Sequence, residues 1–130
     1  MSTPSDLGLH RWHDVVASRD PAQLPGMIAA DAVFRSPAVH TPQEGRDVVV
    51  AYLSAALVVL GPELTYAETW QREHDAVLKF HTVVDGLQVE GIDMITWDDD
   101  GLITEFTVMV RPFKALEALI GAMGRELFKK

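Results

Sequence analysis

The 130-residue chain is 48% apolar and 23% charged, close to an average globular protein, which excludes disordered, collagen-like and low-complexity classes. Its formal charge of −8, with 11 scattered Lys and Arg residues and no basic run, argues against nucleic acid and anionic membranes as partners. The lack of cysteine removes disulfides, thiol nucleophiles and thiolate metal sites, and is compatible with the reducing cytoplasm expected as its location.

This length predicts one domain over residues 1–130, large enough to bury roughly two-thirds of the surface of the unfolded chain. There is no internal repeat, linker or composition shift. The N-terminus, MSTPSDLGLHRWHD, lacks a basic region followed by an apolar core, so no signal peptide is expected. The longest apolar run, Val48–Leu60, is interrupted by Tyr52 and Ser54 and is shorter than the roughly 20 residues a membrane span needs. It is expected to be a buried helix.

In chain order, Leu9, Trp12, Val15 and Val16 share one stripe of a helix predicted from about Asp6 to Ser18. Asp20-Pro21 reads as an N-cap and first helical residue, opening a short helix through Met27–Ala30 that Pro25-Gly26 kinks or shortens. Ala32–Ser36 is a short strand stopped by Pro37, and Ser36–Gly45 is a loop. The next helix starts either at a Thr41–Glu44 capping box or at Gly45, and Gly61-Pro62 stops it near Leu60.

From Glu63 the apolar period changes from 3.6 to 2. Leu64–Glu73, Ala76–Val84, Leu87–Trp97 and Leu102–Arg111 are rich in β-formers and separated by short turns, of which Asp85-Gly86 is the strongest hairpin signal. They predict an antiparallel meander. Pro112 then opens an amphipathic helix over Phe113–Phe128, with Leu116, Leu119, Ile120, Met123 and Leu127 inward. The fold class expected is α+β, a curved antiparallel sheet wrapped over the N-terminal helices, with a C-terminal helix.

This order of elements resembles the nuclear transport factor 2-like superfamily, the cone fold that includes SnoaL-like polyketide cyclases, ketosteroid isomerases and limonene epoxide hydrolase. The local marks are Asp20 and Leu24 ahead of Ala30-Asp31-Ala32-Val33-Phe34, then Ser36-Pro37, Gly45-Arg46, and Asp100-Gly101-Leu102-Ile103-Thr104-Glu105-Phe106. Such marks specify a fold better than an activity, because function on shared folds lives in the site. The resemblance implies a homodimer.

Ile92-Asp93 stands where ketosteroid isomerases carry an Ile-Asp pair whose Asp is kept protonated and donates to the substrate oxyanion. Ser36-Pro37 stands where those enzymes place the Asp-Pro of the catalytic base, and the first helix offers Trp12 and no Tyr. Gly91-Ile92-Asp93 departs from the Arg-x-Asp pair of limonene epoxide hydrolase.

Independently of any family, Asp93 is a lone carboxylate between Ile92, Met94 and Ile95, and such a group has a partner, stays protonated or does chemistry. With Asp93 inward, period-2 alternation puts Val89, Gly91, Ile95 and Trp97 on its face, and Phe80, Phe106, Val108 and Val110 on the matching faces of the neighbouring strands. An apolar concavity with one carboxylate describes a small-ligand site. Trp12, Phe34, Ser36, Phe80, Ile95, Trp97, Phe106, Val108 and Val110 are the expected wall.

Asp93, with His40 from the loop and Tyr52 bringing its hydroxyl to the carboxyl, is the candidate acid–base set; a purely structural Asp93 is the competing reading. No cofactor and no metal is implied. His10 and His13 have no third ligand at known spacing, and Asp98-Asp99-Asp100-Gly101 lacks the alternation of a calcium loop. The function expected is binding of a small, largely apolar molecule, with cofactor-independent proton-transfer chemistry of isomerase, cyclase or hydrolase type. The alternative is a non-catalytic ligand-binding or dimerisation module. Ile92, Met94 and Met109 make the outer sheet face more apolar than a solvated sheet needs, which suggests a homodimer through that face.

Overall fold

The structure, a computed structural model, describes residues 2–129. The first helix, α1 (Pro4–Ser18), begins two residues before the position expected from its apolar stripe. The cause is a capping box: the Thr3 side chain accepts from the Asp6 backbone N–H at 3.1 Å, and the Asp6 carboxylate accepts from the Thr3 N–H at 3.0 Å. Asp20 opens the second helical segment as expected, its carboxylate accepting from the Ala22 N–H at 3.0 Å. With Pro25 inside, however, that segment is a 3-10 helix ending at Met27. Residues 28–30, expected in the helix, instead start β1 (Ile28–Arg35).

The Thr41–Glu44 capping box does not form. Gln43–Glu44 are drawn into a two-residue strand, β2, antiparallel to β1 through Val33↔Glu44 and Phe34↔Gln43. Gly45 is therefore the N-cap of α2 (Arg46–Leu60), at φ 106, a conformation that glycine alone adopts freely. The Arg46 guanidinium donates back to the Ile28 carbonyl at 2.8 Å, fastening the helix start to the strand.

Four long strands follow: β3 (Thr65–Gln71), β4 (Asp75–Val84), β5 (Leu87–Trp97) and β6 (Ile103–Arg111), and α3 (Phe113–Leu127) closes the chain. The sheet order is β2-β1-β6-β5-β4-β3. The β3–β6 meander is antiparallel throughout, whereas β1 joins the far side of β6 in parallel. The sheet is curved and unclosed, so its inner face becomes a concavity that the helices cover. Period-2 alternation holds along β5, where Val89, Gly91, Asp93, Ile95 and Trp97 are all buried.

The apolar residues form two clusters. Trp12, Phe34, Leu53, Leu78, Ile95, Trp97 and Phe106 belong to the first, under α1 and α2. Phe80, Val84, Val89, Ala115 and Leu119 form the second, under α3. Tyr66 and Val108 pack against both clusters. Val108 is the register partner of Asp93, so the carboxylate lies at the seam where the two halves of the core meet.

Candidate functional site

A cavity of about 200 Å³ opens at that seam, walled by α1 (Trp12, Val16), α2 (Tyr52, Leu57), the inner sheet face (Phe34, Tyr66, Phe80, Asp93, Phe106, Val108) and α3 (Leu119, Met123, Leu127). Ser36 and its neighbours Pro37, Ala38 and Val39 also line it, as does Gly124 of α3. Gly91 makes room for Phe80, because a Cβ there would overlap both the Phe80 ring and the Met109 carbonyl. No Lys, Arg or His side chain is among the described lining residues.

Asp93 is 3% exposed. Its Oδ2 accepts a 2.7 Å hydrogen bond from the Tyr66 hydroxyl, and the Tyr66 oxygen accepts a 2.9 Å hydrogen bond from the Trp12 indole N–H. Desolvation pushes the Asp93 carboxyl up from 3.8 to about 7, the Tyr66 hydrogen bond opposing that rise. Burial, and then the neighbouring carboxylate, hold the Tyr66 phenol well above its usual 10. Tyr66 therefore stays protonated across the range in which Asp93 titrates. A carboxyl that titrates near neutral pH thus accepts from a phenol hydroxyl on the wall of an apolar cavity.

Of the wall residues expected from sequence, Trp12, Phe34, Ser36, Phe80, Phe106 and Val108 line the cavity. Ile95, Trp97 and Val110 do not. The inner face of β5 is longer than the cavity, and beyond Asp93 it is packed solid: Ile95 is fully buried in the first cluster, and Trp97 lies against Gly8 of α1. Val110 packs into the second cluster instead.

Tyr52 lines the cavity, but its ring stacks on Phe34 at 5.1 Å, and the Asp93 carboxyl takes its hydrogen bond from Tyr66. His40 is exposed and is not part of the wall. Tyr66 is the residue that sequence reasoning missed. The available signal was simple: with two tyrosines in the chain, Tyr66 is the one on a meander strand, and a buried phenol needs a polar partner. A register shift between Tyr66 and Glu68 obscures the alternation of β3. Among the described residues no cluster of three or more His, Asp or Glu is placed to hold a metal ion. No described helix is long and apolar enough to cross a membrane.

The profile of the SnoaL-like domain matches residues 9–106. The chain belongs to this family. The chain is similar to a steroid delta-isomerase from Pseudomonas aeruginosa, with a TM-score of 0.92 and 40% identity over 98% of this chain and 93% of that one. An uncharacterised bacterial protein with a cystatin-like fold from Silicibacter pomeroyi follows, with a TM-score of 0.87 and 32% identity over 95% and 86% of the two chains. A Mycobacterium tuberculosis protein in complex with estradiol-17beta-hemisuccinate shares the fold at 17% identity and a TM-score of 0.68, over 88% of this chain and 98% of that one. No functionally curated protein sequence matches. The SnoaL-like membership and these neighbours bear out the nuclear transport factor 2-like cone expected from the sequence.

Proposed function

We propose that this SnoaL-like protein binds a small, neutral, largely apolar molecule carrying a carbonyl group and moves a proton on it, with Asp93 as the acid–base residue. The observation that carries this reading is the buried Asp93 carboxyl with a pKa of about 7 on the wall of an apolar cavity. A group half-ionised near neutral pH serves equally as base and as acid. The absence of cationic side chains among the described lining residues favours a neutral ligand over a carboxylate or phosphate.

The chemistry that fits is an allylic shift. Ionised Asp93 takes a proton from the carbon between a carbonyl and a double bond, leaving an enolate and a neutral carboxyl. The same carboxyl returns that proton to the far end of the unsaturated system, so the product is the conjugated ketone and no proton is gained or lost overall. Ser36 and Tyr52 line the same cavity and carry the hydroxyls proposed to meet the developing enolate oxygen. The likeness to a protein named steroid delta-isomerase supports a ring ketone as the ligand class.

A second reading has its own support: Ser36-Pro37 occupies the place of the Asp-Pro base in the enzymes that the chain resembles. In that case Asp93 stays protonated and donates to a bound carbonyl without turnover. A β,γ-unsaturated cyclic ketone, followed by the absorbance of its conjugated product and by deuterium uptake from solvent, separates the two. Turnover that falls about 100-fold or more in Asp93→Asn supports proton transfer, binding without turnover supports the module, and turnover unchanged by the substitution removes Asp93 from the chemistry.

In the same reading the protein works as a homodimer through the outer sheet face. Met94 and Met109 are 39% and 53% exposed there, and Ile92 lies opposite Met109.

A further inference from the structure

We infer that Trp12 and Tyr66 form a one-way hydrogen-bond relay that keeps Oδ2 of Asp93 an acceptor in both charge states, so that the proton Asp93 gains and loses sits on Oδ1. The inference rests on the assignment of Asp93 as the acid–base group and names the atom that does the work.

The direction follows from donor and acceptor inventories. An indole N–H only donates, so in the 2.9 Å contact the Tyr66 oxygen must accept from Trp12. Having accepted, Tyr66 has its single hydrogen left, and the 2.7 Å contact to Asp93 Oδ2 is where it goes. Were Asp93 to carry its proton on Oδ2 and donate it to Tyr66, the phenol oxygen would receive two donors. Its own hydrogen would then be buried without an acceptor, which forfeits its hydration with nothing in return. An acceptor in place of Trp12 would permit both directions; the indole permits one.

The three groups come from three elements that have no other reason to share polar atoms: Trp12 from α1, Tyr66 from β3 and Asp93 from β5. β4 runs between the two strands, and Tyr66 reaches across it edge-on to Phe80, its register partner, with ring centroids 6.3 Å apart. Among the described residues, His13 of α1 is a titratable group that packs against the relay, edge-on to the Tyr66 ring at 5.4 Å. Burial lowers its pKa from 6.5, so it is mostly neutral where Asp93 titrates. Trp12 and Tyr66 are positioning residues in this scheme.

Carbon-13 NMR of the Asp93 carboxyl across pH tests the relay without requiring turnover. Tyr66→Phe keeps the ring and removes the donor, so the titration midpoint rises by roughly one pH unit, as expected for a lost hydrogen bond to a carboxylate. Trp12→Phe frees the phenol to turn and moves the midpoint in the same direction by less. Where the ketone above is turned over, Tyr66→Phe lowers kcat more than it changes KM and moves the acidic limb of the rate profile upward. A folded Tyr66→Phe protein with an unmoved midpoint overturns the relay. A moved midpoint in a protein that turns nothing over keeps the relay and removes the catalytic reading instead.

Discussion

Replacing Asp93 by Asn should make the protein more stable above neutral pH while removing the chemistry proposed for it. The folded carboxyl has a pKa of about 7 against 3.8 in an unfolded chain, so between those values the folded state holds a proton that the unfolded state has lost. The unfolded state binds fewer protons in this window, hence stability falls as pH rises from about 4 to about 7 and is level above. Roughly three pH units at about 1.4 kcal/mol each make the ionised side chain cost about 4 kcal/mol at alkaline pH. Asn has nearly the same shape and still accepts from the Tyr66 hydroxyl, but its amide hydrogens face apolar walls, which returns about 1–2 kcal/mol. The net expectation is a gain of about 2–3 kcal/mol near pH 8 and near equality around pH 5. Urea unfolding of both proteins at the two pH values, followed by circular dichroism, measures this. A wild-type stability that does not decline between them, or an Asn variant that is the weaker at both, would refute the reasoning.

Three further outcomes are expected. A Cβ at Gly8 overlaps the Trp97 indole, which is 1% exposed and has no room to withdraw, so Gly8→Ala should lower the unfolding free energy by about 1–3 kcal/mol in the same assay. Gly124 lines the cavity, and a Cβ there would meet nothing within 4 Å, so Gly124→Leu should leave the fold as stable or more so while raising KM for a bulky ring ketone about tenfold. Met109→Glu places a charge on the half-exposed outer face and should turn a wild-type dimer into a folded monomer in sedimentation velocity at micromolar concentration; a wild-type protein already monomeric there removes the dimer.

Local chemistry made much of the fold legible. The change from helical to strand period at Glu63, the Asp85-Gly86 turn and the Gly61-Pro62 stop are decided by residues close in sequence, and the meander follows from them. With Asp93 taken as inward, alternation along β5 assigned Val89, Gly91, Ile95 and Trp97 to its face, and all four are buried beside it. Boundaries were lost where a distant partner competed with a local signal. Thr41–Glu44 could have capped a helix, yet Gln43 and Glu44 find ladder partners on β1, and Ile28–Ala30 extend that strand rather than the helix before it.

The site divides the same way. Sequence alone marked Asp93 as a lone carboxylate among apolar side chains on a strand and, with that residue taken as inward, named a surrounding set that includes Trp12, Phe34, Phe80, Phe106 and Val108. Where the cavity stops was decided only by how α1 packs across the end of β5, which fills the space at Ile95 and Trp97. The identity of the hydroxyl on Asp93 was decided there as well. Tyr52 and Tyr66 are both within the cavity wall, but the stacking of Tyr52 on Phe34 occupies one ring, and the path of β3 brings the other to Asp93 under the Trp12 indole. Those distances join residues 27 and 54 positions apart, and no local preference encodes them.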